Sequence, residues 1–150
     1  MNEIFNTPFE TEMRILIILH AIGTPGASID RIAAYDFMSV YGKDFGVSDS
    51  NLHGSNSFFF SEWPSRRALI SSGIKEAALD GLISVNQTDY GILYTINNTG
   101  LTFVYSLNTD YAQQYMSAVT KAHSLYSELS DIDVMNYVNN RAITNLRRHI

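Results

Sequence analysis

The chain of 150 residues contains no cysteine, which excludes disulfide bonds and thiolate-bound metals. Charged residues make up only 17%, and the 10 Lys and Arg are outnumbered by 15 Asp and Glu. The formal charge of −5 therefore disfavours a protein that binds mainly to phosphate backbones.

The longest apolar run, Ile15 to Leu19, is too short to span a bilayer. The first ten residues carry no basic residue, unlike a secretory signal. These absences predict a soluble cytoplasmic protein with no membrane association.

The most informative segment is residues 69–100, where a helical pattern passes directly into two short strands. Apolar residues recur at helical spacing up to Leu79, and Gly81 offers the left-handed backbone that ends many helices. Leu82–Val85 and Ile92–Ile96 are β-prone runs, separated by turn-forming residues 86–91. A helix followed by such a hairpin predicts a winged helix-turn-helix, a mainly α fold with a small β-hairpin wing.

Helix-capping patterns place the other helices. Thr7, Pro8 and Glu10 supply the N-cap, first position and capping box of a first helix, which is apolar on most sides and so predicted to be buried. We predict a winged-helix domain over residues 1–106, with a long insertion at 41–64, and a C-terminal helical extension over 107–150. The remaining predicted helix starts are Ser28 for the second helix, Pro64 and Ser65 for the third, Asn98 or Thr99, Asn108 or Thr109, and Ser130.

No pattern of catalytic or metal-binding residues is present in the sequence. His20, His53, His123 and His149 lie on different predicted elements, and none forms a recognised metal-ligand motif with another histidine. A lone histidine supplies neither a nucleophile nor a metal site. The sequence therefore predicts no enzymatic activity, no metal and no cofactor.

Candidate nucleic-acid contacts are few. The third helix offers Arg66, Arg67 and Lys75, but three acidic residues between positions 61 and 80 balance them, and the wing contains no Lys or Arg. Arg147 and Arg148 contribute to a second basic patch near the C-terminus. For the arginine pair we favour salt bridges to loop carboxylates such as Asp44 or Glu62 over contacts with phosphate.

The 41–64 insertion combines glycine, serine and asparagine with several aromatic residues. Long ordered loops often form interfaces, where large rings are the usual anchors and arginines pair with carboxylates. The alternative is that residues 58–63 close over the core. The predicted partner interface consists of Tyr41, Phe45, His53, Phe58, Phe59, Phe60, Trp63, Arg66 and Arg67.

A series of short segments resembles a known family. They are Phe5–Glu10, Arg14–Leu16, Asp30–Ala33, Asp36–Phe37, Tyr41–Gly46, Asn51–Gly54 and Ser65–Arg67. Over roughly residues 4–105 they resemble the middle component of bacterial three-component ABC ATPase conflict systems, small winged-helix proteins. The resemblance implies a non-catalytic adaptor that bridges an SMC- or Rad50-like ABC ATPase and an effector subunit in defence against phage or plasmid DNA. Contact with DNA would come through the complex.

Two alternatives stay open. One is a dimeric winged-helix transcription regulator, in which the last two helices dimerise while Arg66 and Arg67 meet phosphate. The other is a toxin–antitoxin partner. A homodimer is compatible with the adaptor as well.

Overall fold

The structure is a computed structural model that describes residues 7–54 and 59–148, without the side chains of residues 145–148. Within these ranges the fold is mainly helical with one two-stranded antiparallel sheet, which confirms that part of the prediction. None of the described helices combines the length and the apolar character needed to cross a membrane. The elements are α1 Pro8–Ile22, α2 Ile29–Val40, the short α3 Gly42–Phe45, a 3₁₀ turn Phe59–Glu62, α4 Trp63–Leu79, β1 Ile83–Thr88, β2 Gly91–Ile96, α5 Asn98–Tyr105, α6 Asp110–Tyr126 and α7 Asp131–Arg148.

Helix α1 lies at the centre of the core. Its N-terminus confirms the predicted N-cap and first position, since the Thr7 hydroxyl accepts a hydrogen bond from the Glu10 amide at 3.3 Å and Pro8 occupies the first turn. The side chains of residues 15–19 are all fully buried. A helix that is apolar on most sides must be enclosed by its neighbours, and α2, α4, α5 and α6 all pack against α1.

Helix α4 begins at Trp63, one residue before the predicted start, and packs closely on α1. Gly73 permits this approach, because a Cβ atom there would lie only 2.6 Å from the Cδ1 atom of Ile15. The predicted stop at Gly81 is confirmed, since its φ of +74° is the left-handed conformation that glycine adopts without strain.

The hairpin is tighter than the sequence predicts. Its strands pair in continuous register from Ile83 opposite Ile96 to Thr88 opposite Gly91, so the turn consists of residues 89–90 instead of 86–91. The ladder extends through polar residues because cross-strand pairing outweighs their weak strand propensity. Beyond the hairpin, α5 is capped by Asn97 instead of Asn98 or Thr99, whereas Thr109 and Ser130 cap α6 and α7 as predicted.

The helices after residue 107 pack against α1 and α2. Five of their buried apolar residues belong to the same cluster as those of the first helices, so both parts of the chain share one core. The division into a winged-helix domain and a helical extension at residues 106 and 107 stays a prediction. The shared-core residues from α6 and α7 are Ala112, Tyr115, Val119, Val134 and Val138.

Candidate functional site: a buried ion cluster beneath an aromatic surface

A buried carboxylate, Asp36 on α2, joins side chains from three other helices. Its Oδ1 atom accepts hydrogen bonds from Nε of Arg14 at 2.8 Å and from the hydroxyl of Tyr115 at 2.5 Å. Its Oδ2 atom accepts a hydrogen bond from Nη1 of Arg66 at 3.1 Å. All four residues are buried. The cluster therefore holds α1, α2, α4 and α6 in one arrangement.

The charges of this cluster stabilise one another. Burial alone would raise the pKa of Asp36, but the guanidinium groups of Arg14 and Arg66 hold it below its usual value. Burial and the charge of Asp36 together raise the pKa of Tyr115 well above its usual value, so its hydroxyl stays a donor. A second carboxylate, Glu62, accepts a hydrogen bond from Nη2 of Arg66 at 3.4 Å. The cluster thus contains two positive and two negative groups, and this balance matters because an unpaired buried charge is costly.

The ring of His53 lies at the edge of the cluster. Its Nε2 atom is 2.7 Å from the hydroxyl of Tyr111, and the two rings are stacked. Burial, together with the positive charge of Arg14, lowers the pKa of His53 from 6.5 to about 3, so the ring is neutral at physiological pH. Burial raises the pKa of Tyr111 to about 12. Segments of the resemblance series that are far apart in the sequence therefore meet around Asp36.

The partner interface predicted from the insertion requires correction at four positions. Tyr41, Phe45, Phe59 and Arg66 are almost completely buried, so they belong to the protein's own core and offer no surface. Phe37 explains the burial of the three rings, since the centroid of its ring lies 5.3 to 5.8 Å from each of theirs. The alternative that residues 58–63 close over the core is thus confirmed for Phe59, while Phe58 lies outside the described residues.

Other predicted interface residues remain accessible. Trp63 and Phe60 are half-buried and line a groove of about 360 Å³ against α7. Across this groove, Nε1 of Trp63 donates a hydrogen bond to Oδ1 of Asn139 at 2.6 Å. The apolar side chain of Ile143 is 48% exposed at the same groove. Accessible apolar surface here therefore comes from the 3₁₀ turn, the start of α4 and α7.

The candidate nucleic-acid contacts do not assemble into one described surface. Arg66 is enclosed, and its contact with Glu62 confirms the predicted salt bridge to that carboxylate. Arg67 is 61% exposed, but its Nε atom pairs with Asp30 at 2.7 Å. Lys75 is exposed on α4, next to an exposed glutamate. The side chains of Arg147 and Arg148 lie outside the described part of the chain.

Sequence reasoning missed the central carboxylate and its partners as a site. Arg14 and Asp36 stood in two of the recognised segments, but nothing linked them to Arg66 or Tyr115. The available signal was a charged residue inside an otherwise apolar helical segment, because such a residue must find a buried counter-ion. A second ion pair was also missed: Nε of Arg31 donates to Asp131 at 2.8 Å.

The described residues contain no group of three or more histidine or acidic side chains that could hold a metal ion. His20 stacks edge-on against Tyr105, and His123 lies 3.0 Å from the Tyr35 hydroxyl. The described polar clusters chiefly connect one helix to another.

Comparison with known proteins adds one finding. The family model described as ABC-three component (ABC-3C) system Middle Component 2, MC2, matches residues 4–148. No curated protein and no solved structure matches the chain.

Proposed function

The chain belongs to the Middle Component 2 family of ABC-three component systems, and we propose that it is the non-catalytic adaptor of such a system. In this role it bridges an SMC- or Rad50-like ABC ATPase and an effector subunit, and the assembly acts against phage or plasmid DNA in the cytoplasm. The observation that carries the proposal is the family match over residues 4–148, since a middle component is one of three parts that act together.

We also propose that α4 and the hairpin are the third helix and wing of a winged helix that has been reused to bind protein. On α4, Arg66 is buried in the core beside Asp36, and Arg67 pairs with Asp30. The hairpin contains no Lys or Arg. Because DNA affinity depends on several cationic contacts with phosphate, these features favour an adaptor over a transcription regulator. Any contact with DNA would come through the assembled complex.

The groove lined by Phe60, Trp63 and Ile143 is our candidate surface for one partner. We propose that it receives a large apolar side chain from another component of the system. The lining is mainly apolar, and the Trp63–Asn139 hydrogen bond fixes the indole at its edge. Tryptophan at a pocket rim is a common centre of binding energy because it offers a large, rigid ring. Of the other residues in the predicted interface, Arg67 is exposed and His53 is half-buried.

Co-expression of the three components, with the chain tagged for purification, tests the adaptor role. We expect wild-type chain to recover both other components, and Ile143→Asp to reduce recovery of one of them at least about tenfold, because a charge would enter an apolar contact. Ile132→Asp is the matched control, since it places the same charge on an exposed isoleucine of the same helix outside the groove. Failure of the wild-type chain to recover either component would exclude the adaptor role. Equal recovery by both variants would exclude the groove.

A further inference from the structure

Strand β1 has an open edge, and its pairing with β2 shows which of its main-chain amides and carbonyls point outward. On β2, the amide and carbonyl of Tyr94 both bond to Ala27, at 2.9 and 3.0 Å, and so point away from β1. Val85, the residue opposite Tyr94, is therefore in a non-hydrogen-bonded pair. Its amide and carbonyl point outward, as do those of Gln87 two residues later. Within the described structure, neither residue's main-chain groups have a hydrogen-bond partner.

This edge lacks the features that normally protect a strand from pairing. Natural edge strands carry lysine or proline, are interrupted by a bulge, or are covered by another element. Strand β1 contains neither residue, and its register with β2 is continuous over all six pairs. One face of the hairpin also presents apolar side chains, with Val85 55% and Ile92 45% exposed. An added strand would bring its own side chains beside that face.

We propose that the open edge of β1 accepts an extended segment of another component of the three-component system, which adds to the hairpin as a third strand. The recognised chemistry is an extended segment with an apolar residue beside Val85 and basic residues at its two ends. This proposal rests on the adaptor function and assigns a second binding surface, separate from the Trp63 groove.

Charge distribution selects this occupant over a second copy of the chain. The strand itself is uncharged, but the exposed acid Asp80 lies three residues before it, and the exposed acid Asp89 follows it directly. Antiparallel pairing of two copies would place Asp89 of each near Asp80 of the other, and parallel pairing would bring like residues together. Both arrangements bring acids together, whereas a segment with basic ends meets opposite charge at each end.

The acidic end of the strand favours a cation for a further reason. The carboxyl group of Glu12 lies near those of Asp80 and Glu76, and burial, together with these two neighbours, raises the pKa of Glu12 from 4.5 to about 7. A basic residue in the added segment would offset this repulsion and favour the charged form of Glu12.

A proline substitution tests the edge directly. Gln87→Pro removes an amide that β2 does not use, so we expect the hairpin to remain folded while the added strand loses a hydrogen bond and meets the proline ring. Gln87→Thr is the matched control, because it changes the same side chain but keeps the amide. In the co-expression assay we expect Gln87→Pro to reduce recovery of one component at least tenfold and Gln87→Thr to stay within twofold. Thermal unfolding of both purified variants checks the fold.

Amide hydrogen exchange gives a second measurement, with Val85 and Gln87 expected to exchange at least tenfold more slowly in the wild-type complex than in the isolated chain. Undiminished recovery with a folded Gln87→Pro chain, or unchanged exchange, would overturn the edge proposal while the adaptor role stands. A wild-type chain that recovers neither component would overturn both. A dimer of the isolated chain that dissociates on Gln87→Pro substitution, measured by sedimentation, would identify a second copy as the occupant and overturn the proposal.

Discussion

Replacing Asp36 by asparagine tests whether the buried ion cluster holds the helices together. Asparagine has nearly the same shape but no charge, and one of its two terminal atoms is a donor. Each oxygen of Asp36 accepts from an arginine, so the new amide NH2 must face an N–H donor of Arg14 or of Arg66. The substitution also leaves two buried guanidinium groups without their shared counter-ion.

The expected loss is large. Removing one partner of a buried ion pair costs about 3–5 kcal/mol, because the remaining charge is uncompensated. Domains of this size are stable by roughly 5–15 kcal/mol, so Asp36→Asn removes a large fraction of the folding free energy. At about 2–4 °C per kcal/mol for a chain of this length, Tm should fall by roughly 6–20 °C.

Urea unfolding followed by circular dichroism measures the effect, with an unchanged m-value showing that the two-state comparison is valid. Asp30→Asn is the matched control, since it makes the same change on the same helix at the exposed pair with Arg67. That pair should contribute no more than about 1 kcal/mol. Equal losses for the two variants, or a loss below about 1 kcal/mol for Asp36→Asn, would refute the assignment of the cluster as a stabilising centre.

Two further predictions follow from particular contacts. Because burial lowers the pKa of His53 from 6.5 to about 3, the unfolded chain binds a proton that the folded chain does not, so the free energy of unfolding should fall as pH drops from 6.5 towards 3. His53→Gln should show a shallower decline over that window in urea titrations, and an identical decline would contradict the shift. Gly100→Ala should lower stability by about 1–3 kcal/mol in the same assay, since its Cβ would lie 2.4 Å from the carbonyl oxygen of Leu82. Thr99→Ala, on the exposed side of the same helix, should change stability by less than about 0.5 kcal/mol, and equal effects would show that the contact relaxes freely.

Local signals predicted the elements well. The Thr7 cap, the stop at Gly81 and the caps at Thr109 and Ser130 depend on hydrogen bonds and backbone preferences within a few residues, so a short window of sequence contains the cause. The cap of α5 was predicted one or two residues late, because Asn97, Asn98 and Thr99 are all competent caps. The choice among them follows from where β2 ends, which is a property of the hairpin.

The candidate site was less predictable. The burial of Tyr41, Phe45 and Phe59 depends on Phe37, which belongs to a different element and appears in the sequence analysis only within the Asp36–Phe37 segment of the resemblance. The enclosure of Arg66 depends on Asp36, 30 residues earlier in the chain. Their sequence neighbourhoods look like those of exposed residues, so periodicity alone offered no means of separating interior from interface.

The amino-acid sequence alone determined the helices, the hairpin and the low cationic content of α4 and the hairpin, because capping, turn formation and composition are properties of short segments. The tertiary structure decided which charged groups and aromatic rings are buried. It also decided that β2 is hydrogen-bonded to Ala27 while the edge of β1 stays open. These outcomes depend on which distant elements come into contact, because solvent exclusion and hydrogen-bond direction are set by neighbours in space.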